Sequence, residues 1–131
     1  MKGCVALAAG LLLGAGAAVA QGDDSCAGRV VVNSVYATGG GGGVPFEYFA
    51  QVQNQTEQPR RYTLTFSGFP EGATVMRRVS GGPLRPYEQD TQRFGRGDQP
   101  GLQLRDVTVV TDREGGSAGP TVTLSGCGVA R

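Results

Sequence analysis

Downstream of residue 28 the chain is a series of short apolar runs separated by turn signals, and most of the runs alternate apolar with polar positions. Alternation with period two marks a strand that buries one face and wets the other. Residues 29–36, Arg-Val-Val-Val-Asn-Ser-Val-Tyr, are β-branched and aromatic and predict a first strand. In residues 46–54, Phe46, Tyr48, Ala50 and Val52 face one way and Glu47, Gln51 and Gln53 the other, with Phe49 interrupting the polar side. Residues 60–67 repeat the pattern, with Tyr62, Leu64 and Phe66 inward and Thr63, Thr65 and Ser67 outward. The short polar link from Asn54 to Pro59 predicts that these two runs form an antiparallel hairpin.

Residues 73–79 read as a further strand with Val75 and Val79 on one face. Residues 80–101 hold prolines at 83, 86 and 100 and glycines at 81, 82, 95, 97 and 101, which predicts a long loop with at most a short edge strand near Tyr87 to Phe94. Leu102 and Leu104 alternate, and the phase then slips before Val107 and Val109, as a bulge would require. Glu114 to Gly119 is a turn, and Val122 and Leu124 mark a last strand that ends at Cys127. The consecutive glycines 39–43 predict a flexible loop. Six or seven strands at this spacing predict an all-β, Ig-like two-sheet sandwich, with a small β-barrel as the alternative. It is not an antibody-type domain, because the chain has no Trp and its two downstream cysteines flank the strands instead of joining central ones.

The N-terminal segment changes the picture from a cytosolic to an exported chain. Lys2, the apolar stretch Val5 to Val19 and the small-x-small site Ala18-Val19-Ala20 predict a secretory signal over 1–20, leaving 21–131 as a single domain. The apolar stretch is short and glycine-rich for a bilayer span, so no membrane span is expected in the mature chain. Cys4 precedes the apolar region and is read as part of the signal. Cys26 and Cys127 then have one possible pairing, and a disulfide is expected in a periplasmic or secreted location. A bond that closes about 100 residues contributes up to about 4.7 kcal/mol in the chain-entropy account, and it predicts neighbouring first and last strands.

Charge and composition exclude chemistry more than they suggest it. Lys2 is the only lysine, so residues 21–131 carry 11 Arg against 11 Asp and Glu, with no Lys, His or Trp. A Ser-His-Asp triad, a Schiff-base lysine, a P-loop and a histidine metal site are all ruled out. Zero net charge gives no reason to expect nucleic-acid binding. No cofactor or metal is expected, and the scattered carboxylates single out no catalytic pair. Arginine to the exclusion of lysine hints at a GC-rich bacterial source. In such a source the tripeptide Arg96-Gly97-Asp98, placed in the loop over 80–101, and the sequon Asn54-Gln55-Thr56 are incidental, although the sequon is expected to be accessible. Arg60-Arg61 and Arg77-Arg78, joined by Arg105 and Arg113 if the strand order allows, are candidates for an anion-binding patch. Successive residues on a strand point to opposite faces, so each pair is expected to place one arginine on a given surface.

One stretch carries a family resemblance. Tyr48 to Pro70 contains Asn54-Gln55-Thr56, a polar link, Pro59, Arg60, and an alternating strand that ends in Gly68-Phe69-Pro70. It resembles part of the Ig-like module that closes the bacterial ferredoxin-type proteins of cytochrome oxidase assembly. The resemblance implies an Ig-like fold and an envelope location. It carries over no electron-transfer role and no functional residue, because the iron–sulfur cysteine runs of that family are absent here.

The expected function is that of an exported, non-catalytic binding or accessory module of the bacterial envelope, displaying loops to an unidentified envelope protein. The candidate surfaces are the glycine loop at 39–43 and the loop over 80–101; the second is preferred, through Arg85, Tyr87, Arg93, Phe94 and Arg96, because Arg and Tyr are enriched at binding hot spots. The alternatives are a structural subunit that assembles through sheet edges and, less favoured, a small carboxylate-based hydrolase. The oligomeric state is left open.

Overall fold

The alternating runs become strands of a β-sandwich in a computed structural model that describes residues 24–114 and 118–130. The strands are β1 (Val30–Thr38), β2 (Phe46–Asn54), β3 (Arg60–Ser67), β4 (Thr74–Val75), β5 (Arg78–Leu84), β6 (Gln89–Gly97), β7 (Thr108–Thr111) and β8 (Thr121–Ser125). They make two four-stranded sheets, in the orders β1-β2-β6-β4 and β5-β3-β8-β7. Every pairing is antiparallel except that of β7 with β8. The expected all-β sandwich is therefore present, with eight strands instead of six or seven. The signal segment 1–20 lies outside the described residues, as does part of the turn expected over 114–119.

The inward positions of β2 and β3 are those read from the alternation. Tyr48, Ala50 and Val52 meet Tyr62, Leu64 and Phe66 in one core with Val30, Val35, Leu84, Phe94, Val122 and Leu124. Phe66 and Phe94 come from opposite sheets and stack with ring centroids 4.3 Å apart. Phe49, the apolar residue on the polar side of β2, stacks on Tyr36 across the outer face, centroids 5.4 Å apart.

The predicted β2–β3 hairpin does not form. β2 and β3 lie in different sheets, and residues 55–59 arch from one to the other. Alternation is the same for two strands paired edge to edge as for two strands facing each other across a core, so the pattern is silent on the choice. What decides it is Asn54, fully buried at the last inward position of β2. Its amide donates to the carbonyls of Gln58, Leu84 and Arg85, and its Oδ1 accepts from Thr56 N. The hairpin is instead β1–β2, closed through Gly39–Gly43. This tract is an ordered turn, with Gly41 and Val44 exchanging both backbone hydrogen bonds. All five glycines have φ between 61° and 97°, the left-handed region that side chains strain, which is why five glycines occur together.

Further expectations are corrected. Residues 73–79 split, because β4 belongs to one sheet and β5 to the other. The segment 80–101 is not a long loop, since β6 occupies nine of its residues and pairs with β2 along its whole length. The phase slip after Leu104 is a 3-10 turn over Leu104–Asp106 and not a bulge. Cys26 and Cys127 are bonded, with Cα atoms 5.0 Å apart, but β1 and β8 sit in opposite sheets. The bond therefore ties sheet to sheet instead of joining neighbouring strands.

β6 escapes the apolar pattern because its inward residues Asp90 and Gln92 are polar. Tyr62 reaches across from β3, donates to Asp90 Oδ2 at 2.7 Å and accepts from Gln92 Nε2 at 2.8 Å. Its ring passes so close to Gly81 of β5 that a Cβ there would lie 2.3 Å from the hydroxyl. Burial, reinforced by the Asp90 carboxylate, raises the Tyr62 phenol well above the ordinary tyrosine range. A raised pKa means that the fold holds the proton more tightly than the unfolded chain does. That contribution is complete below about pH 10 and is lost as pH rises beyond it. Urea unfolding of Tyr62→Phe should show a loss of roughly 1–2 kcal/mol at pH 8 and a shallower decline than wild type between pH 9 and 12. An identical alkaline slope would contradict this role.

Candidate functional site

The five residues expected on a mobile binding loop are not brought together. Arg85 and Tyr87 lie in the tight β5–β6 turn, where Arg85 N donates to Glu88 Oε1 at 2.7 Å and Arg85 pairs with Glu88 at 3.5 Å. The Arg85 backbone N–H, helped by its guanidinium, holds the Glu88 carboxyl below the usual range. Arg93 lies in β6, ion-paired with Glu47. Phe94 is fully buried against Phe66, so it serves the core. Arg96 is exposed on β6, opposite Glu47 and Thr74. Strand geometry separates these side chains, because β6 sends its residues to different faces.

The expected accessibility of the sequon and the loop placement of the tripeptide are also corrected. The Asn54 amide is consumed by three carbonyls inside the arch, so the folded protein does not offer it for glycosylation. Arg96 and Gly97 end β6 and Asp98 follows it, so the tripeptide is not a loop tip; Gly97 is buried beneath the Tyr48 hydroxyl, whereas Arg96 and Asp98 are exposed. Asp98 instead borders a small hollow of about 290 Å³ with Tyr48, Phe69 and Ala73.

Of the candidate anion patch, part assembles and part does not. Arg60 points inward, 6 % exposed, and donates to Cys127 O at 2.9 Å and to Thr56 Oγ1 at 2.9 Å. It is structural. Arg61 and Arg105 are exposed elsewhere. Arg77, Arg78 and Arg113, however, line one groove of about 660 Å³. Both members of the Arg77-Arg78 pair contribute, because Arg77 lies in the link between β4 and β5 and escapes strand alternation.

The floor of this groove is built by register. Arg78, Thr65 and Thr123 sit opposite one another on β5, β3 and β8, forming one row across the sheet. Ser80, Thr63 and Ser125 form the next row, with Thr63 and Ser80 hydroxyls 3.2 Å apart. These are the outward positions of the alternating strands, so the groove lies on the outer face of the sheet. Glu114 and Asp112 border it beside Arg113. The guanidinium groups of Arg77, Arg78 and Arg113 make no ion pair or hydrogen bond among the described residues, unlike those of Arg85 and Arg93. The outward Thr65 and Ser67 were legible from alternation and Arg113 was a candidate that waited on the strand order, but Asp112 and Thr123 carried no signal until that order was known.

Asp112 fixes the wall that carries Arg113. It follows β7 with φ 64°, a conformation that Asp tolerates better than most residues. Its carboxylate accepts from Cys26 N at 2.7 Å, Ser25 Oγ at 2.9 Å and Ala27 N at 3.1 Å. Asp112→Ala should cost about 2 kcal/mol by urea denaturation, and Asp112→Asn should recover part of it. Equal stability of wild type and the alanine variant would contradict this anchoring.

No helix among the described residues is long and apolar enough to cross a membrane. No family model, curated protein or solved structure matches the chain.

Proposed function

We propose that this chain is an exported, non-catalytic binding module of the bacterial cell envelope, and that it engages a protein partner through the outer face of the β5-β3-β8-β7 sheet. The observation that carries this reading is the convergence of Arg77, Arg78 and Arg113 on one hydroxyl-floored groove. Arginine holds planar bidentate partners better than a point charge does, and the guanidinium groups of these three have no partner among the described residues. A paired, antiparallel floor holds the groove in place, so the module presents a rigid surface rather than a mobile loop.

Export rests on the signal pattern of residues 1–20, and a disulfide between residues 101 apart suits an oxidising compartment. The resemblance of residues 48–70 to the Ig-like module of the cytochrome oxidase assembly proteins favours the envelope as that compartment. Cross-linking of the tagged full chain in the cell envelope should capture a defined heterologous protein, and Arg77→Glu combined with Arg113→Glu should reduce that capture. Self-cross-links alone would overturn the reading in favour of a subunit that assembles through its sheet edges.

A further inference from the structure

We infer that the groove between Arg78 and Arg113 recognises carboxylates, in the form of an acidic peptide segment of the protein partner. This inference rests on the binding-module reading and names the chemistry of its ligand.

The first argument is the donor set. Arg77 and Arg78 enter from one edge of the sheet and Arg113 from the segment after β7. Between them the outward rows supply the hydroxyls of Thr65 and Thr123. Guanidinium forks and hydroxyls complement oxyanions, and a carboxylate takes a guanidinium through two parallel hydrogen bonds.

The second argument separates a carboxylate from a polyanion. Asp112 and Glu114 also border the groove, so three cations face two anions. The residues from 21 onward add no net charge, so no long-range field would gather a polyphosphate or a nucleic acid. Asp112 is itself occupied by Cys26, Ser25 and Ala27, which leaves three arginines against Glu114 as the remaining lining carboxylate. A mildly positive, open groove fits isolated carboxylates on a chain better than closely spaced phosphates, which carry one charge per about 1.7 Å in duplex DNA. The volume of about 660 Å³ and the open sheet face leave room for a few residues of extended peptide.

The test is fluorescence anisotropy on the oxidised full chain with a fluorescein-labelled alternating Gly-Glu octapeptide, its Gly-Gln analogue, and inorganic phosphate as competitor. The Glu peptide should bind and the Gln peptide should not. Arg78→Glu and Arg113→Glu should each weaken binding about tenfold or more, with unfolding curves showing that both variants fold. Arg85→Glu, far from the groove on the β5–β6 turn, should bind like wild type. Equal binding of both peptides, or binding insensitive to Arg78→Glu and Arg113→Glu, would overturn the inference. Failure of the Glu peptide to bind while phosphate protects the protein against thermal unfolding would overturn it in favour of a phosphate ligand. An envelope partner captured equally by wild type and Arg78→Glu would leave the module reading in place and remove this one. Peptide binding with no envelope partner would leave carboxylate recognition by the groove in place and remove the protein-partner reading.

Discussion

The two ends of the domain are held at a single point, and the sandwich depends on that junction. Cys26 precedes β1 in one sheet and Cys127 follows β8 in the other, so their bond clamps the sheets together across a separation of 101 residues. The clamp is reinforced from both sides. Asp112 receives the backbone N–H of Cys26, and buried Arg60 donates to the carbonyl of Cys127. The C-terminal residues then run along the start of β3, with Arg61 N donating to Gly128 O and Ala130 N to Pro59 O. A small domain with a modest apolar core benefits most from such a restraint, because the bond removes conformations from the unfolded chain that the core would otherwise have to outweigh.

The same junction links fold to function. Asp112 is spent on the N-terminal segment, and that contact places Arg113 on the rim of the groove. The residues that brace the disulfide therefore also set the shape of the proposed binding face. Arg60 and Arg77 show how similar residues part company. Arg60 lies at an inward position of β3 and becomes a structural donor, whereas Arg77 lies between strands and remains outward.

The inward faces of β2 and β3 were legible, because Tyr48, Ala50 and Val52 and then Tyr62, Leu64 and Phe66 recur at period two. The disulfide was legible from the expected export signal and a count of two downstream cysteines. Pairing was not legible. An alternating strand looks alike in a hairpin and in an arch, and the buried Asn54 that makes the arch reads in sequence as an ordinary turn residue. β6 was hidden because Asp90 and Gln92 occupy inward, half-buried positions where a phenol from the opposite sheet and each other's polar groups satisfy them. The groove was half legible: its arginines and outward hydroxyls were visible, but not which strands lay side by side.

Hydrogen exchange read by mass spectrometry, comparing the oxidised protein with the reduced and thiol-blocked form, tests the clamp most directly. If the junction couples the two sheets, reduction should lower protection together in β1 of one sheet and in β3 and β8 of the other. Loss of protection confined to residues 24–30 and 126–130, with both sheets unchanged, would contradict the account.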